Sequence, residues 1–247
     1  MKPVLLQPAY VLHRRPYRES SFLVDVFTKE QGRLTLIARG ARKARSSRSS
    51  SIEGLLQPFL PLLVSFAGNG ELATLSQVEV QGRLAPLQGE CLFAGFYLNE
   101  LLMRLLQKWD AHPRLYTYYE ETLSALAAHH LEQKVLRLFE KRLLEELGYG
   151  LLPKATSGLQ TFFSPECYYR FIPDQGLVMS EQRSQPGNGL FSGKSLLALA
   201  NEEWPDQASL HDAKRLMRLV LADLLGARPL YSRKLFTKIE DEYHHEE

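Results

Sequence analysis

The hydrophobic pattern of this chain changes its period near residue 84. Before that point, short segments of apolar, β-branched and aromatic residues are separated by turn signals such as Gly68-Asn69-Gly70. The clearest segment is residues 22–27. Its residues fall into two alternating sets, as expected for a β-strand, in which successive side chains point to opposite faces. Five short strands and one long loop within about eighty residues are typical of a Greek-key barrel of the OB type. The predicted strands are Ala9–Leu12, Ser21–Thr28, Arg33–Ala38, Leu55–Phe66 and Leu72–Val80.

After residue 84, apolar residues recur at steps of three and four, which is the pattern of an amphipathic helix. Gly148 and Gly226 follow two of these stretches, where a helix C-cap belongs. An aromatic-rich stretch around the turn residues Pro173-Asp174-Gln175-Gly176 predicts a small β-hairpin. The predicted helices are Leu87–Asp110, Leu131–Leu147 and Leu210–Leu225, and the hairpin stretch is Thr161–Met179.

Together these patterns predict an α+β fold with two domains. A five-stranded OB-type β-barrel is expected over residues 1–82. A mostly α-helical domain is expected over residues 83–247, with the hairpin inserted near 161–179. No apolar run reaches the roughly 18–20 residues that span a bilayer, and the N-terminus lacks the pattern of a secretory signal, so we expect a cytoplasmic protein.

The formal net charge of +2 hides an uneven distribution. Residues 1–83 contain 12 Lys/Arg and 6 Asp/Glu, a net charge of +6, whereas residues 84–247 contain 18 and 22, a net charge of −4. A basic front part joined to a mildly acidic remainder suggests a polyanion-binding module.

The densest basic segment follows the third predicted strand. From Arg33 to Arg48 there are six basic residues and no acidic one, with small residues between them that let the side chains reach phosphates. The alternative is a solvated loop that only keeps the protein soluble, and we favour binding. The candidate DNA-binding residues are Arg39, Arg42, Lys43, Arg45 and Arg48, joined by Arg14, Arg15 and Arg18 if the first hairpin lies beside the loop.

Six aromatic residues of the first part could stack on bases, but aromatics in alternating strands are more often core residues. We therefore expect at most one or two of them to stack, with Tyr17 the best candidate because it follows the pair Arg14-Arg15 closely. The six are Tyr10, Tyr17, Phe22, Phe27, Phe59 and Phe66.

The sequence contains no motif that argues for an enzyme. Gly193-Lys194-Ser195 resembles part of a phosphate-binding P-loop, but Asn188 stands where the first glycine is needed, so we interpret it as the start of a short helix, Ser195–Asn201. There is no zinc-protease or nucleophile-elbow pattern. A nuclease or hydrolase would need a carboxylate cluster that the sequence does not suggest.

The predicted helix Leu131–Leu147 carries basic residues beside its apolar stripe. Lys134, Arg137 and Lys141 are spaced by three and four residues, which suits an acidic peptide with a hydrophobic end. A solvated face balanced by neighbouring glutamates is at least as consistent with the sequence. Lys214, Arg215 and Arg218 of the later helix pose the same choice, and there we favour the solvated face.

Several segments, in order along nearly the whole chain, resemble the RecO family of bacterial recombination and repair mediators. The resemblance is strongest over Ala9–Ser46. The matching segments are Val11-Leu12-His13-Arg14-Arg15-Pro16-Tyr17, Glu19-Ser20, Asp25-Val26-Phe27-Thr28, Gly32-Arg33, Ala38-Arg39-Gly40-Ala41-Arg42, Gln57-Pro58-Phe59, Tyr97-Leu98-Asn99-Glu100-Leu101, Phe139-Glu140, Gly148-Tyr149-Gly150 and Pro229-Leu230-Tyr231-Ser232-Arg233.

This resemblance implies an OB-fold followed by a helical domain, and a nucleoid-associated protein that binds single- and double-stranded DNA. It also implies annealing of complementary strands and cooperation with RecR in loading RecA onto strands coated by the single-stranded-DNA-binding protein (SSB). In the family, the acidic SSB tail docks on the helical domain. The matching helix carries Arg137, so Lys134, Arg137 and Lys141 are expected to receive the carboxylates of that tail.

Many RecO proteins hold a four-cysteine zinc site just after the Gly-Tyr-Gly segment. Only Cys167 lies in that region of this chain, and the other cysteine is Cys91, so we expect no zinc and no other cofactor. The alternative to a DNA-binding mediator is a protein-interaction adaptor whose basic loop binds an acidic protein partner.

Overall fold

The computed structural model describes residues 3–42, 52–68, 70–82, 85–128, 131–150, 163–181, 189–232 and 234–235. In the first part of the chain, five strands close into a barrel with the order β1-β2-β3-β5-β4. All neighbouring strands are antiparallel except β3 and β5, which are parallel. The predicted OB-type barrel is therefore confirmed. Its strands are β1 (Val4–Tyr17), β2 (Ser21–Thr28), β3 (Gly32–Ala38), β4 (Leu62–Ala67) and β5 (Ala73–Val80), and a short helix, α1, covers 52–55.

The second strand is buried on both faces. Phe22, Val24 and Val26 point into the barrel core. The side chains on the other face of this strand are covered as well. The ring centroid of Phe27 lies 5.5 Å from that of Tyr116 and 6.2 Å from that of Tyr119. Helices therefore cover one outer face of the barrel, and this explains why both series of the alternating pattern are partly apolar.

Two helices pack on this face, α2 (Gly89–Leu105) and α3 (Pro113–Ala127). Gly32, at the β2–β3 turn, has a φ of +69°, and a Cβ there would lie 1.8 Å from the carbonyl oxygen of Asp110. Only glycine allows so close an approach of two backbones. Next to it, Arg33 Nε donates to the Leu106 carbonyl at 3.1 Å.

Contacts within the chain divide it into two compact units, residues 1–131 with 230–247, and residues 132–229. In this division α2 and α3 belong with the barrel. The separate domains at 1–82 and 83–247 remain a prediction about which parts fold independently.

In its described residues, the second unit contains three helices and a small sheet with the order β7-β6-β8. The hairpin predicted from the aromatic stretch is present as β6 and β7, and its turn carries positive φ angles at Asp174 and Gly176. A third strand, which the sequence pattern did not predict, pairs with β6. The elements are α4 (Gln133–Glu146), β6 (Tyr168–Ile172), β7 (Gly176–Ser180), β8 (Leu190–Ser192), α5 (Gly193–Ala200) and α6 (Gln207–Leu225).

The Gly-Lys-Ser segment begins α5, close to the predicted short helix. The Ser192 hydroxyl accepts a hydrogen bond from the Ser195 N–H at 3.0 Å and so caps the helix. A Cβ on Gly193 would lie 1.9 Å from the Ser164 carbonyl oxygen, so the glycine serves close packing. Lys194 is exposed and pairs with Asp206 at 3.6 Å.

The structure differs from the prediction in several elements: β1 extends well beyond the predicted Ala9–Leu12, and α2 ends at Leu105, before the predicted Asp110. The strand predicted over Leu55–Phe66 begins only at Leu62, because α1 covers 52–55 and Pro58 and Pro61 interrupt the segment that follows. Helix α3 was not predicted at all. Among the described residues, no helix is both long enough and apolar enough to span a bilayer.

Candidate nucleic-acid interface

At one end of the barrel, the β1–β2 turn lies beside the segment that follows β3. The Arg42 N–H donates to the Ser20 carbonyl at 3.0 Å, and Arg42 Nη1 donates to the Arg18 carbonyl at 3.2 Å. Ala41 is buried in the barrel core and anchors the segment. The first hairpin therefore lies beside the start of the basic loop, as the sequence argument required.

This juxtaposition brings together five of the predicted DNA-binding residues, which we call the arginine patch: Arg14, Arg15, Arg18, Arg39 and Arg42. Arg14 is half-buried and the other four are exposed. Among the described residues, no carboxylate lies within 4.0 Å of any of these five guanidinium groups. Within the described part of the chain, the patch is therefore a concentration of positive charge without a direct ion-pair partner. Lys43, Arg45 and Arg48 lie outside the described residues.

Phe22 lies beneath two members of the patch. The Cζ atom of Arg14 is 5.1 Å from the centroid of the Phe22 ring, and that of Arg42 is 5.7 Å from it. Arg14 Nη1 also donates to the Glu53 carbonyl at 2.8 Å. The two side chains are thus held by an aromatic ring and by neutral carbonyl oxygens, none of which cancels their charge.

The structure separates the six aromatic residues into core and surface. Tyr10, Phe22, Phe27, Phe59 and Phe66 are buried, whereas Tyr17 is half-exposed beside the patch. Tyr10 donates to Glu120 Oε1 at 3.1 Å, and burial together with this carboxylate raises the pKa of its hydroxyl above the ordinary value. Tyr17 is the one residue of the six that is not buried, and the Cζ atom of Arg18 lies 5.2 Å from the centroid of its ring.

The cations predicted on α4 do not form an exposed rim. Lys134 is exposed and pairs with Glu132 Oε2 at 2.5 Å. Arg137 is buried and pairs with Glu140 Oε1 at 2.8 Å, and its Nε–H finds no acceptor in the described part of the chain. Lys141 is also buried and donates to the Ala200 carbonyl and to Glu202 Oε1, each at 3.0 Å. The three cations therefore differ in exposure: Lys134 is open to solvent, whereas Arg137 and Lys141 are buried within the second unit.

Glu202 is the common partner of two α4 cations. Arg142 Nη2 reaches Glu202 Oε2 at 3.1 Å, while Lys141 holds the other oxygen. Partial burial alone would raise the pKa of this carboxyl group, but the hydrogen bonds and charges of the two cations outweigh burial and lower it. Sequence reasoning missed this cluster because about sixty residues separate its members and no local pattern connects them.

The region of the family's zinc site lacks the four cysteines of that site. Residues 148–180 contain one cysteine, Cys167, and no histidine. Within the described ranges, no group of three or more His, Cys, Asp or Glu side chains is placed to bind a metal ion. The residues present do not fit a four-cysteine zinc site.

Comparison with known proteins adds to this geometry. The family model for the N-terminal part of recombination protein O matches residues 1–83, and the model for its C-terminal part matches residues 87–234. The chain belongs to the RecO family. The two models together cover nearly the whole chain, and their boundary falls close to the change of hydrophobic period.

Curated relatives resemble the chain over almost its full length. The DNA repair protein RecO of Coxiella burnetii (strain RSA 493 / Nine Mile phase I) is 44% identical over 234 residues, covering 95% of this chain and 98% of the relative. The DNA repair protein RecO of Stutzerimonas stutzeri (strain A1501) is 47% identical over 235 residues, covering 95% and 94%. That of Dechloromonas aromatica (strain RCB) is 43% identical over 238 residues, covering 95% and 96%.

Proposed function

We propose that this chain is a non-enzymatic mediator of DNA repair and recombination. It binds single- and double-stranded DNA, anneals complementary strands and, with RecR, helps to load RecA onto SSB-coated single strands. The observation that carries the proposal is the arginine patch, which lies at one end of an OB-type barrel and, among the described residues, has no carboxylate within 4.0 Å of its guanidinium groups. Membership of the RecO family, whose relatives are named DNA repair proteins, supports the same role.

The patch would act on the phosphate backbone. Guanidinium groups match phosphate oxygens in a planar, two-pronged geometry and stay charged at any physiological pH. Arg39 and Arg42 lie on the segment that leads into the basic loop, so Lys43, Arg45 and Arg48 would extend the same contact along a strand. Contacts of this kind fix a strand in place without reading its bases.

Annealing follows from the same contacts. Two DNA strands repel each other through their phosphates, and cations that neutralise these phosphates lower that repulsion. Because the contacts are to the backbone, the base edges remain available, and base pairing supplies the specificity. Tyr17 is the one predicted aromatic that is exposed enough to stack on a base, and it would help to hold a flexible single strand against the barrel.

The proposed site for the SSB tail is on α4. Lys134 is exposed, whereas Arg137 is buried and its Nε atom is inaccessible to solvent, so Arg137 would receive a tail carboxylate only after its side chain moves away from Glu140. Lys141 already contacts Glu202 and the Ala200 carbonyl. Its part in the site would be to hold α4 in position.

Annealing of SSB-coated complementary oligonucleotides, with and without the protein, tests the proposal. We expect duplex to form several times faster when the protein is present, and the strands to stay intact in magnesium. An adaptor that binds only an acidic protein would leave the annealing rate unchanged and would give no mobility shift with naked single strands. Cleaved strands would instead indicate a nuclease.

A further inference from the structure

We propose that Arg14, Arg42 and Phe22 form one preorganised subsite for the phosphodiester backbone of DNA, in which Phe22 is a positioning residue. This inference rests on the proposed function and deepens it. It assigns two of the arginines to a single unit and gives a role to an aromatic residue that does not touch DNA.

The strand register places Arg14 beside Phe22. Arg14 lies opposite Val24, and Phe22 lies opposite Pro16. Residues that face each other across antiparallel strands, and those two positions along, lie on the same face of the sheet. Arg14 and Phe22 are therefore diagonal neighbours on the inner face of the barrel. Phe22 ends the row of core residues, and the long Arg14 side chain extends over it toward solvent.

Arg42 reaches the same ring from the segment that follows β3. Ala38 lies opposite Phe22 in the β2–β3 register, and the chain then turns at Gly40, whose φ is +69°. The buried Ala41 and the hydrogen bond from the Arg42 N–H to Ser20 fix the backbone there. The Arg42 guanidinium is held by the Arg18 carbonyl and by the ring of Phe22.

Two guanidinium groups at one ring repel each other, so other contacts must offset this repulsion. Both Cζ atoms lie within the range of about 6 Å over which a cation is attracted to an aromatic ring. The carbonyls of Glu53 and Arg18 orient them without neutralising them. In each group, the hydrogen bonds to described residues use one of five N–H donors.

The ligand that best matches such a pair of guanidinium groups is an anion with several oxygen acceptors. Arg14 is half-buried and Arg42 is exposed, so the pair is accessible from solvent. In a protein that binds DNA, the phosphodiester group is the anion of this kind. Because the two cations are already held in place, little conformational entropy is lost when the strand binds.

A double-mutant cycle on the two arginines tests whether they act as a unit. Binding to a fluorescein-labelled oligothymidine is measured by anisotropy at one moderate salt concentration for the wild type, Arg14→Ala, Arg42→Ala and the double variant. If the pair contacts the backbone together, the double variant loses at least threefold less affinity than the product of the two single losses. Single losses that simply multiply would overturn the subsite.

Phe22→Leu tests the positioning role, with Phe66→Leu as the matched control. Phe66 is buried in the same barrel core, but its ring neighbour is Trp109, and no described arginine lies over its ring. We expect Phe22→Leu to weaken binding about fivefold in the wild-type background and less than twofold in the Arg14→Ala/Arg42→Ala background. Phe22→Tyr, which keeps the ring, should restore affinity to within twofold, and Phe66→Leu should leave it unchanged in both backgrounds.

Other results would overturn the inference. Equal losses from Phe22→Leu in both backgrounds, or equal losses from Phe66→Leu, would show that the ring acts only through the stability of the barrel. Absence of oligothymidine binding by the wild-type chain would refute the proposed function itself, and the subsite with it. Binding by the wild type with no effect of Phe22→Leu would refute the subsite alone.

Discussion

Tyr119 donates a hydrogen bond to Asn99 Oδ1 at 2.5 Å, and both side chains are buried. Asn99 Nδ2 in turn donates to the Leu12 carbonyl at 2.9 Å, so one amide side chain connects α2, α3 and the first strand of the barrel. A buried polar group is stabilising only while its partners are present. This connection makes the barrel and the two helices one packed unit.

Asn99→Ala should therefore lower the free energy of unfolding by about 2–3 kcal/mol, because it leaves the Leu12 carbonyl and the Tyr119 hydroxyl without this partner. Tyr119→Phe should cost about 1–2 kcal/mol. Urea unfolding followed by circular dichroism measures both. Thr117→Ala is the control, because Thr117 is half-buried and its side chain makes only an exposed hydrogen bond to the Pro113 carbonyl; it should change stability by less than about 0.5 kcal/mol. Equal effects of the three substitutions would show that the buried connection is unimportant.

The segment 230–232 should be held in place by a single carboxylate. Glu100 accepts hydrogen bonds from the N–H groups of Tyr231 and Ser232 at 2.9 and 2.8 Å, and from the Ser232 hydroxyl at 2.6 Å. Glu100→Ala is expected to speed amide hydrogen exchange of this segment about tenfold or more while exchange in β2 stays unchanged. In Glu100→Gln, which keeps one acceptor oxygen, the exchange rate of this segment should lie between those of the wild type and Glu100→Ala. Unchanged exchange in Glu100→Ala would contradict this prediction.

The stabilising effect of Glu202 should depend on pH. Its pKa is lowered in the folded chain by Lys141 and Arg142, so the ionised form contributes stability above the ordinary glutamate pKa of about 4.3. As pH falls through the lowered folded pKa, the carboxyl group is protonated and that contribution is lost. Glu202→Gln should cost about 1 kcal/mol at pH 7, and the difference from wild type should shrink toward zero below pH about 4. A difference that is constant with pH would show that the charge of Glu202 contributes nothing.

Binding of the SSB tail should depend most on Arg137. Titration with a fluorescent peptide of the tail measures it, and Arg137→Ala should weaken binding about tenfold, since it removes a partly desolvated cation. Lys134→Ala, at an exposed position, should weaken binding about twofold. Lys214→Ala removes an exposed charge from α6 and should have no effect. If Arg137→Ala binds like the wild type, the tail site lies elsewhere.

The barrel could be predicted because the sequence patterns that specify its strands are local. Residues 22–27 alternate with the period of a strand, and Ser21–Thr28 was predicted with the bounds that the structure shows. Helix α3 was missed although Leu115, Tyr119, Leu123 and Leu126 recur at steps of three and four and Pro113 begins the helix. The three tyrosines of that segment favour strands as readily as helices, and this obscured the pattern. Strand β8 has three residues and exists only through pairing with β6.

In the candidate site, too, local features could be predicted, whereas contacts between distant residues could not. The count of arginines was enough to propose a basic segment as the candidate site, because charge density is visible in one dimension. The proximity of Arg42 to Phe22, and that of Lys141 to Glu202, depend on residues 20 to 61 positions apart. No periodicity encodes such contacts. The helical spacing of Lys134, Arg137 and Lys141 was correct, but spacing does not reveal that a neighbouring element buries two of the three.

The salt dependence of single-strand binding tests the central claim most directly. Each phosphate contact that is removed should reduce the slope of log affinity against log salt by about 0.7 for a single strand. Arg39→Ala/Arg42→Ala should therefore weaken binding to oligothymidine and reduce the slope by about 1.4. Lys214→Ala/Arg218→Ala removes the same charge from the exposed face of α6 and should leave affinity and slope near wild type. An unchanged slope in the first pair, or equal changes in both pairs, would contradict DNA binding by the arginine patch.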